Sequence, residues 1–258
     1  MRKLTLLAFL FTSSLTISFA DTAWKASISR NTAFVENKGQ LMDQHNRENK
    51  EVRFMYVDGL FNLQLRNGGF SYELFTIDEK KTSFPESGIP DNEEQAFRNF
   101  VDDQSTMRAH RIDVTLVGAN PAAEITGEES TGIVYNFYTD GMGTQGVTGV
   151  ASFEKVKYKN IYPGIDLVSF APDPSADSFL KYEWIVHPGA DASKIKLQYD
   201  GAISFLPDAD GGFKLYAATG IINESKVIAF RADDRSSVPA QYQFNHNSVS
   251  YKIKRDKE

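Results

Sequence analysis

The sequence predicts an all-β protein, an antiparallel sandwich-like fold with one large core or two packed β-subdomains. Three observations carry this. Apolar residues recur at every second position in short runs, the period of a strand with one buried and one wet face. Turn residues punctuate those runs at about 8–12-residue spacing, the rhythm of sandwiches and barrels. Stretches of helical period are scarce and no βαβ alternation is present, so a parallel nucleotide-binding sheet is not expected.

The first twenty residues stand apart. Met1-Arg-Lys is a basic start, Leu4 to Phe11 is almost uninterrupted apolar, and Ser18-Phe19-Ala20 offers small residues where a signal peptidase reads. Residues 1–20 are read as a secretory signal cleaved after Ala20. A transmembrane anchor or a buried first helix is the competing reading. Thr12, Ser13, Ser14 and Thr16 interrupt the run, which falls short of the ~20 apolar residues a span needs. Residues 21–258 are then the exported domain, with a subdivision near 140–150 suggested by glycine density.

Within that domain, Phe61, Leu63 and Leu65 alternate with Asn62, Gln64 and Arg66, and Phe70, Tyr72 and Leu74 resume the pattern after Asn67-Gly68-Gly69. Such a turn tolerates positive φ, so this is a hairpin. Ile112, Val114 and Leu116 form one face of a strand that Gly118-Ala-Asn-Pro121 ends. Leu180, Tyr182, Trp184 and Val186 form one face of another, closed by His187-Pro-Gly189. Further strands are expected at 52–57, 133–139, 152–158, 165–170, 194–199, 202–206, 213–217, 227–230, 240–244 and 248–254. The exception is an irregular or short helical insertion near 80–108. There Pro85, Gly88 and Pro90 lead into a polar, acidic stretch in which Ala96, Phe97, Phe100 and Val101 fall at helical spacing.

Composition fits a folded domain: 41% hydrophobic, 24% charged, with 19 Phe and 11 Tyr to fill a core. Zero cysteines exclude disulfides, thiolate zinc sites, iron–sulfur clusters and cysteine nucleophiles. The formal net charge of −6 becomes more negative once Arg2 and Lys3 are removed, and the richest basic cluster, Lys252–Lys257, is diluted by Asp256. Nucleic acid is therefore not an expected partner.

Few residues suggest chemistry. Asp166 and Glu183 lie on strands among aromatics and are the carboxylate pair a hydrolase would use, one as proton donor and one as nucleophile or base. Asp208-Ala-Asp210-Gly-Gly has the spacing of a calcium loop without its third ligand or closing Glu, and equally that of a hairpin turn. Asp173 to Asp177 reads as a loop tip. His45, His110, His187 and His246 lie far apart, with no pair at metal-binding spacing. Gly141–Gly149 lacks the strand and helix a phosphate cradle needs, and no Gly-x-Ser-x-Gly elbow is present. Tyr158, Tyr182 and Trp184 would suit sugar stacking, but Tyr182 and Trp184 share the phase of Leu180 and Val186, which is the core phase. No cofactor is expected.

Six strings occur in a recognisable order: Phe34-Val-Glu-Asn-Lys-Gly-Gln40, His110-Arg-Ile-Asp-Val-Thr-Leu-Val-Gly-Ala-Asn-Pro121, Tyr158-Lys-Asn-Ile-Tyr-Pro-Gly-Ile-Asp-Leu-Val168, Leu180-Lys-Tyr-Glu-Trp-Ile-Val-His-Pro-Gly-Ala-Asp191, Ile195-Lys-Leu-Gln-Tyr-Asp-Gly201 and Gly220-Ile-Ile-Asn-Glu224. Together they resemble the uncharacterised N-terminal β-rich domain of large exported bacterial proteins. Those proteins commonly continue into SBBP (β-propeller-type) repeats or immunoglobulin-like modules and a gliding-motility-associated C-terminal sorting domain. The resemblance implies an all-β, exported or cell-surface module and brings no activity with it. Up to Glu258 this chain carries neither repeats nor a sorting domain, so the periplasm stays open beside the outer surface.

The expected function is a non-catalytic, exported interaction or structural module of adhesin-like kind, with an extracellular glycan, surface polymer or protein as partner. The competing reading is a carbohydrate-active or other hydrolase using Asp166 and Glu183. A third is a module stabilised by calcium at Asp208 and Asp210.

Overall fold

A computed structural model describes residues 9–18, 33–43, 45, 47–79, 105–138, 145–172 and 180–253, the first of these segments by its backbone alone. The strands run, in order, β1 (Phe9–Ser18), β2 (Phe34–Glu36), β3 (Val52–Asp58), β4 (Phe61–Arg66), β5 (Gly69–Glu79) and β6 (Ser105–Leu116). Next come β7 (Glu124–Phe137), β8 (Val147–Tyr162), β9 (Ile165–Phe170), β10 (Leu180–Val186), a 3₁₀ turn at Ala192–Lys194 and β11 (Lys196–Asp200). The remainder are β12 (Ser204–Pro207), β13 (Phe213–Ala217), β14 (Gly220–Glu224), β15 (Ile228–Arg231), β16 (Ser237–Val238), β17 (Ala240–Asn245) and β18 (Ser248–Ile253). The fold is all-β and antiparallel, as the alternation predicts. No helix of the described residues is long and apolar enough to cross a membrane.

The ladders arrange these strands in two layers. One runs β2-β3-β4-β5-β6-β11-β18-β17. The other runs β7-β8-β9-β10-β1 and continues on the far side of β1 into β14 and β15, with β13 and β12 beyond β14. β2 also pairs with β8, so the layers join into one folded-over sheet.

Alternation sets what lies between the layers. On β10, Leu180, Tyr182, Trp184 and Val186 are buried, while Lys181, Glu183 and Ile185 take the other phase. Residues directly opposite on an antiparallel pair share a face, so Trp184 brings Leu167 of β9 to the core with it. The interior is aromatic. Phe213 packs edge-on to Tyr199 and Tyr242 at 5.6 and 5.2 Å between ring centroids, and Phe70 reaches Tyr182 across the layers at 6.3 Å. Each such ring removes a large apolar area from water, about 1.5–3 kcal/mol for a side chain such as Phe. One contiguous cluster runs from Phe34 to Tyr251.

The β4–β5 hairpin turns through Asn67-Gly68, with Arg66 opposite Gly69. Gly69 is a close approach: a Cβ there would stand 2.1 Å from the Val114 carbonyl oxygen on β6. The Tyr158 hydroxyl, from the opposite layer, donates to the Gly69 carbonyl at 3.1 Å.

The excursion expected over 80–108 is narrower at its end. Ser105–Arg108 already belong to β6 and pair with Glu79–Thr76 of β5, and residues 80–104 lie outside the described residues. The loop tip 173–177 and Gly141–Thr144 of the glycine-rich stretch also lie outside them. Phe137 of β7 pairs with Val147 of β8 across that stretch.

Candidate functional site

Asp166 sits where two of the longest sequence strings meet. β8 loses register with β9 between Tyr158 and Tyr162, and in that irregularity Asn160 adopts φ 55, a conformation Asn tolerates better than most residues. Its backbone N–H then donates to Asp166 Oδ1 at 2.7 Å, while its side-chain oxygen accepts from the Gly164 N–H at 2.9 Å. Gly164 turns the chain at φ 69, and its carbonyl accepts from the His187 N–H at 2.9 Å. The second carboxylate oxygen of Asp166 is shared by His187 Nε2 at 3.0 Å and Lys157 Nζ at 3.1 Å. The side chain is 6% exposed. Burial pushes the Asp166 carboxyl up, but the Asn160 amide, His187 and Lys157 together outweigh it and hold it below its ordinary value.

Glu183 stands opposite Val168 on the same outer face as Asp166, which stands opposite Ile185, so the two carboxylates are diagonal neighbours on β9 and β10. Glu183 pairs with Lys181 Nζ at 2.5 Å. Lys181 in turn lies over the Phe170 ring, 4.9 Å from its centroid, with Lys155 at 5.2 Å from the same ring. Both carboxylates therefore face lysine. A general acid needs its proton held to higher pH by an apolar or like-charged setting. The setting of Asp166 does the reverse and leaves it an ionised acceptor.

Asp113 is engaged in the same way on the opposite layer. Ser71 Oγ donates to it at 2.5 Å, Arg111 Nε at 3.0 Å, and Arg66 lies 3.3 Å away. Asp208 and Asp210 form the β12–β13 turn. Asp208 pairs with Lys214 at 3.0 Å and caps the Ala209 N–H at 2.7 Å, and Asp210 accepts from the Gly212 N–H at 3.0 Å. Among the described residues no group of three or more His, Asp or Glu is placed to hold a metal ion. His110 bridges two loops, accepting from the Ala218 N–H and bonding the Gly201 carbonyl at 2.7 Å. Tyr158, Tyr182 and Trp184 are core residues.

Sequence reasoning missed a second centre, the carboxylate of Glu224. β14 places Gly220, Ile222 and Glu224 in its buried phase, and Glu224 is 3% exposed. The hydroxyls of Tyr72 and Tyr182 donate to its two oxygens at 3.2 and 3.4 Å. Burial first, and the Glu224 charge second, push both phenols well above their ordinary value, and Tyr199 beside them likewise. The Tyr199 hydroxyl is the one buried side-chain polar atom among the described residues without a hydrogen-bond partner. Tyr72 and Tyr182 also line a small apolar cavity with Leu63, Leu65, Phe70, Ser169 and Leu180. The available signal was an acidic residue standing in the apolar phase of a five-residue strand.

These features define an antiparallel β-sandwich module in which Asp166, Glu183 and Asp113 are paired with basic neighbours and the core carboxylate of Glu224 is held by tyrosine hydroxyls. A family described as a domain of unknown function, DUF7948, matches residues 34–258, and the chain belongs to that family. No curated protein and no solved structure matches it.

Proposed function

We propose that this chain is a non-catalytic interaction or structural module, exported behind residues 1–20 and working at the cell surface or in the periplasm. The observation that carries the reading is the state of Asp166, the residue best placed in the sequence for acid–base work. Both of its oxygens are committed to the Asn160 amide, Lys157 and His187, and its proton is held less tightly than in water. The leader-like start, the sandwich architecture and the resemblance to N-terminal domains of exported adhesin-like and gliding-associated proteins support it from the sequence side. Its ligand is an extracellular glycan, a surface polymer or a protein.

The test is a ligand screen. Purified residues 21–258 are applied to a glycan array, to cell-wall polymers and to envelope proteins. Saturable retention of one class, with the ligand recovered intact, is the expected result. Release of cleaved sugar would favour the hydrolase reading.

A further inference from the structure

β1 is an inner strand. Phe9, Phe11, Ser13 and Leu15 stand opposite Val186, Trp184, Tyr182 and Leu180 on β10. On its other edge Phe9–Thr12 pair with β15 and Leu15–Ser18 with β14, where Leu15 meets Glu224 and Ile17 meets Ile222. The odd-numbered positions thus share the register of the buried residues Val186, Trp184, Tyr182, Leu180, Ala229, Ile222 and Glu224, and the even-numbered positions share that of Ile185, Glu183 and Lys181. Eight of the same ten residues alternate in sequence, Phe9, Phe11, Leu15 and Ile17 in one phase and Thr12, Ser14, Thr16 and Ser18 in the other, with Ser13 and Leu10 as the respective exceptions.

Without this segment, β10 and β14–β15 would face each other across twice the interstrand spacing, about 9–10 Å. Their backbone donors and acceptors would be bare on both sides. That width suits one extended chain and is too narrow for a helix of about 10–12 Å diameter.

Phe9–Ser18 also lies within the leader and takes in the end of its apolar run, Phe9–Phe11. Resting on the exported-module reading, in which residues 1–20 are removed, we propose that the seam between β10 and β14–β15 is a strand-acceptor site. Its occupant in the mature protein is an extended segment of about ten residues from another polypeptide, apolar at alternate positions and polar between, running antiparallel to β10. A small polar residue belongs opposite Tyr182, where Ser13 stands in this chain. The chain's own Thr22–Arg30 is the rival occupant. It offers Trp24, Ala26 and Ile28 in one phase, flanked by Thr22 and Arg30, and so supplies three of the seam's five core positions.

The experiment adds a synthetic peptide of residues 8–19, flanked by lysines for solubility, to purified 21–258. The expected result is saturable one-to-one binding, a rise in Tm and slowed amide exchange in β10 and β14. A peptide with neighbouring residues swapped, so that the apolar positions change phase, is expected to bind about tenfold more weakly or worse. A folded 21–258 that ignores the peptide overturns the proposal, and binding by 33–258 but not by 21–258 overturns it in favour of Thr22–Arg30. Should 21–258 not fold, a protease site is placed within 22–30 of the full chain and cut after folding. The released N-terminal fragment should stay with the body until labelled peptide displaces it; a fragment that separates while the body melts unchanged contradicts the site. N-terminal sequencing of the exported protein tests the leader independently. A product that keeps Met1 overturns the open seam in the mature protein, whereas peptide binding by 21–258 still reads out the acceptor.

Discussion

The indole N–H of Trp184 donates to the hydroxyl of Tyr251 at 3.0 Å, and this bond ties β10 in one layer to β18 in the other. Both residues are buried, so neither polar atom has water to fall back on. Replacing Tyr251 by Phe leaves the indole N–H without that acceptor and should cost about 1–3 kcal/mol. Trp184→Ala also opens a cavity and should cost about 3–5 kcal/mol, measured by denaturant unfolding. If Y251F unfolds at the wild-type midpoint, the bond does not hold the layers together.

The tyrosine cage makes the protein sensitive to alkali. Burial raises Tyr162 to about 12 and holds Tyr72, Tyr182 and Tyr199 well above 10.0. A folded-state value above the unfolded one contributes stability that is complete below pH 10 and lost as pH rises past it. Tyrosinate absorbance should therefore appear together with unfolding for these phenols, in one cooperative step above pH about 10. Smooth titration of all eleven tyrosines with the fold intact would contradict the cage.

Asp166 gives the opposite sign at the acid end. Its folded-state value lies below the ordinary 3.8, so its contribution is present above pH 3.8 and fades as pH falls through the folded value. Asp166→Asn should cost about 1.5–3 kcal/mol at neutral pH by removing the acceptor of Lys157 and His187, and should flatten the acid limb of the stability curve. An acid limb identical to wild type would place the acid sensitivity elsewhere.

For the β12–β13 turn, the commitments of Asp208 to Lys214 and of Asp210 to the Gly212 amide predict indifference to calcium. Chelator and millimolar calcium should leave Tm unchanged, and Asp208→Ala should lower it only slightly, because an exposed ion pair contributes little. A calcium-dependent rise in Tm would restore the third reading of the sequence.

How legible the fold was depends on whether a strand has one wet face. β10 spans Leu180–Val186 as the alternation had it, and β4 and β5 meet at Asn67-Gly68 as the turn residues require. β7 and β8 run to 14 and 16 residues, well past the expected 133–139 and 152–158. Much of β7 is exposed on both faces, so its pattern carries no alternation to read. β2 has three residues, too few for a period, and β14 was not expected as a strand because it opens on Gly220 and closes on a buried Glu. Asp166 was singled out in the sequence as half of a carboxylate pair on strands. Its meeting with His187 and Lys157 depends on the β8–β9–β10 register, which no local pattern encodes. The leader could not announce its strand pairing, because its unbroken apolar run Leu6–Phe11 has no period to read and also satisfies a membrane-targeting segment.

The central claim is that the outer-face carboxylates hold the fold together and do no chemistry. Binding and turnover measured together on one preparation test it most directly, using wild type, Asp166→Asn and Glu183→Gln with whichever ligand the screen returns. The claim predicts saturable binding in all three and an intact ligand after prolonged incubation. Ligand cleaved by the wild type and spared by either variant would contradict it.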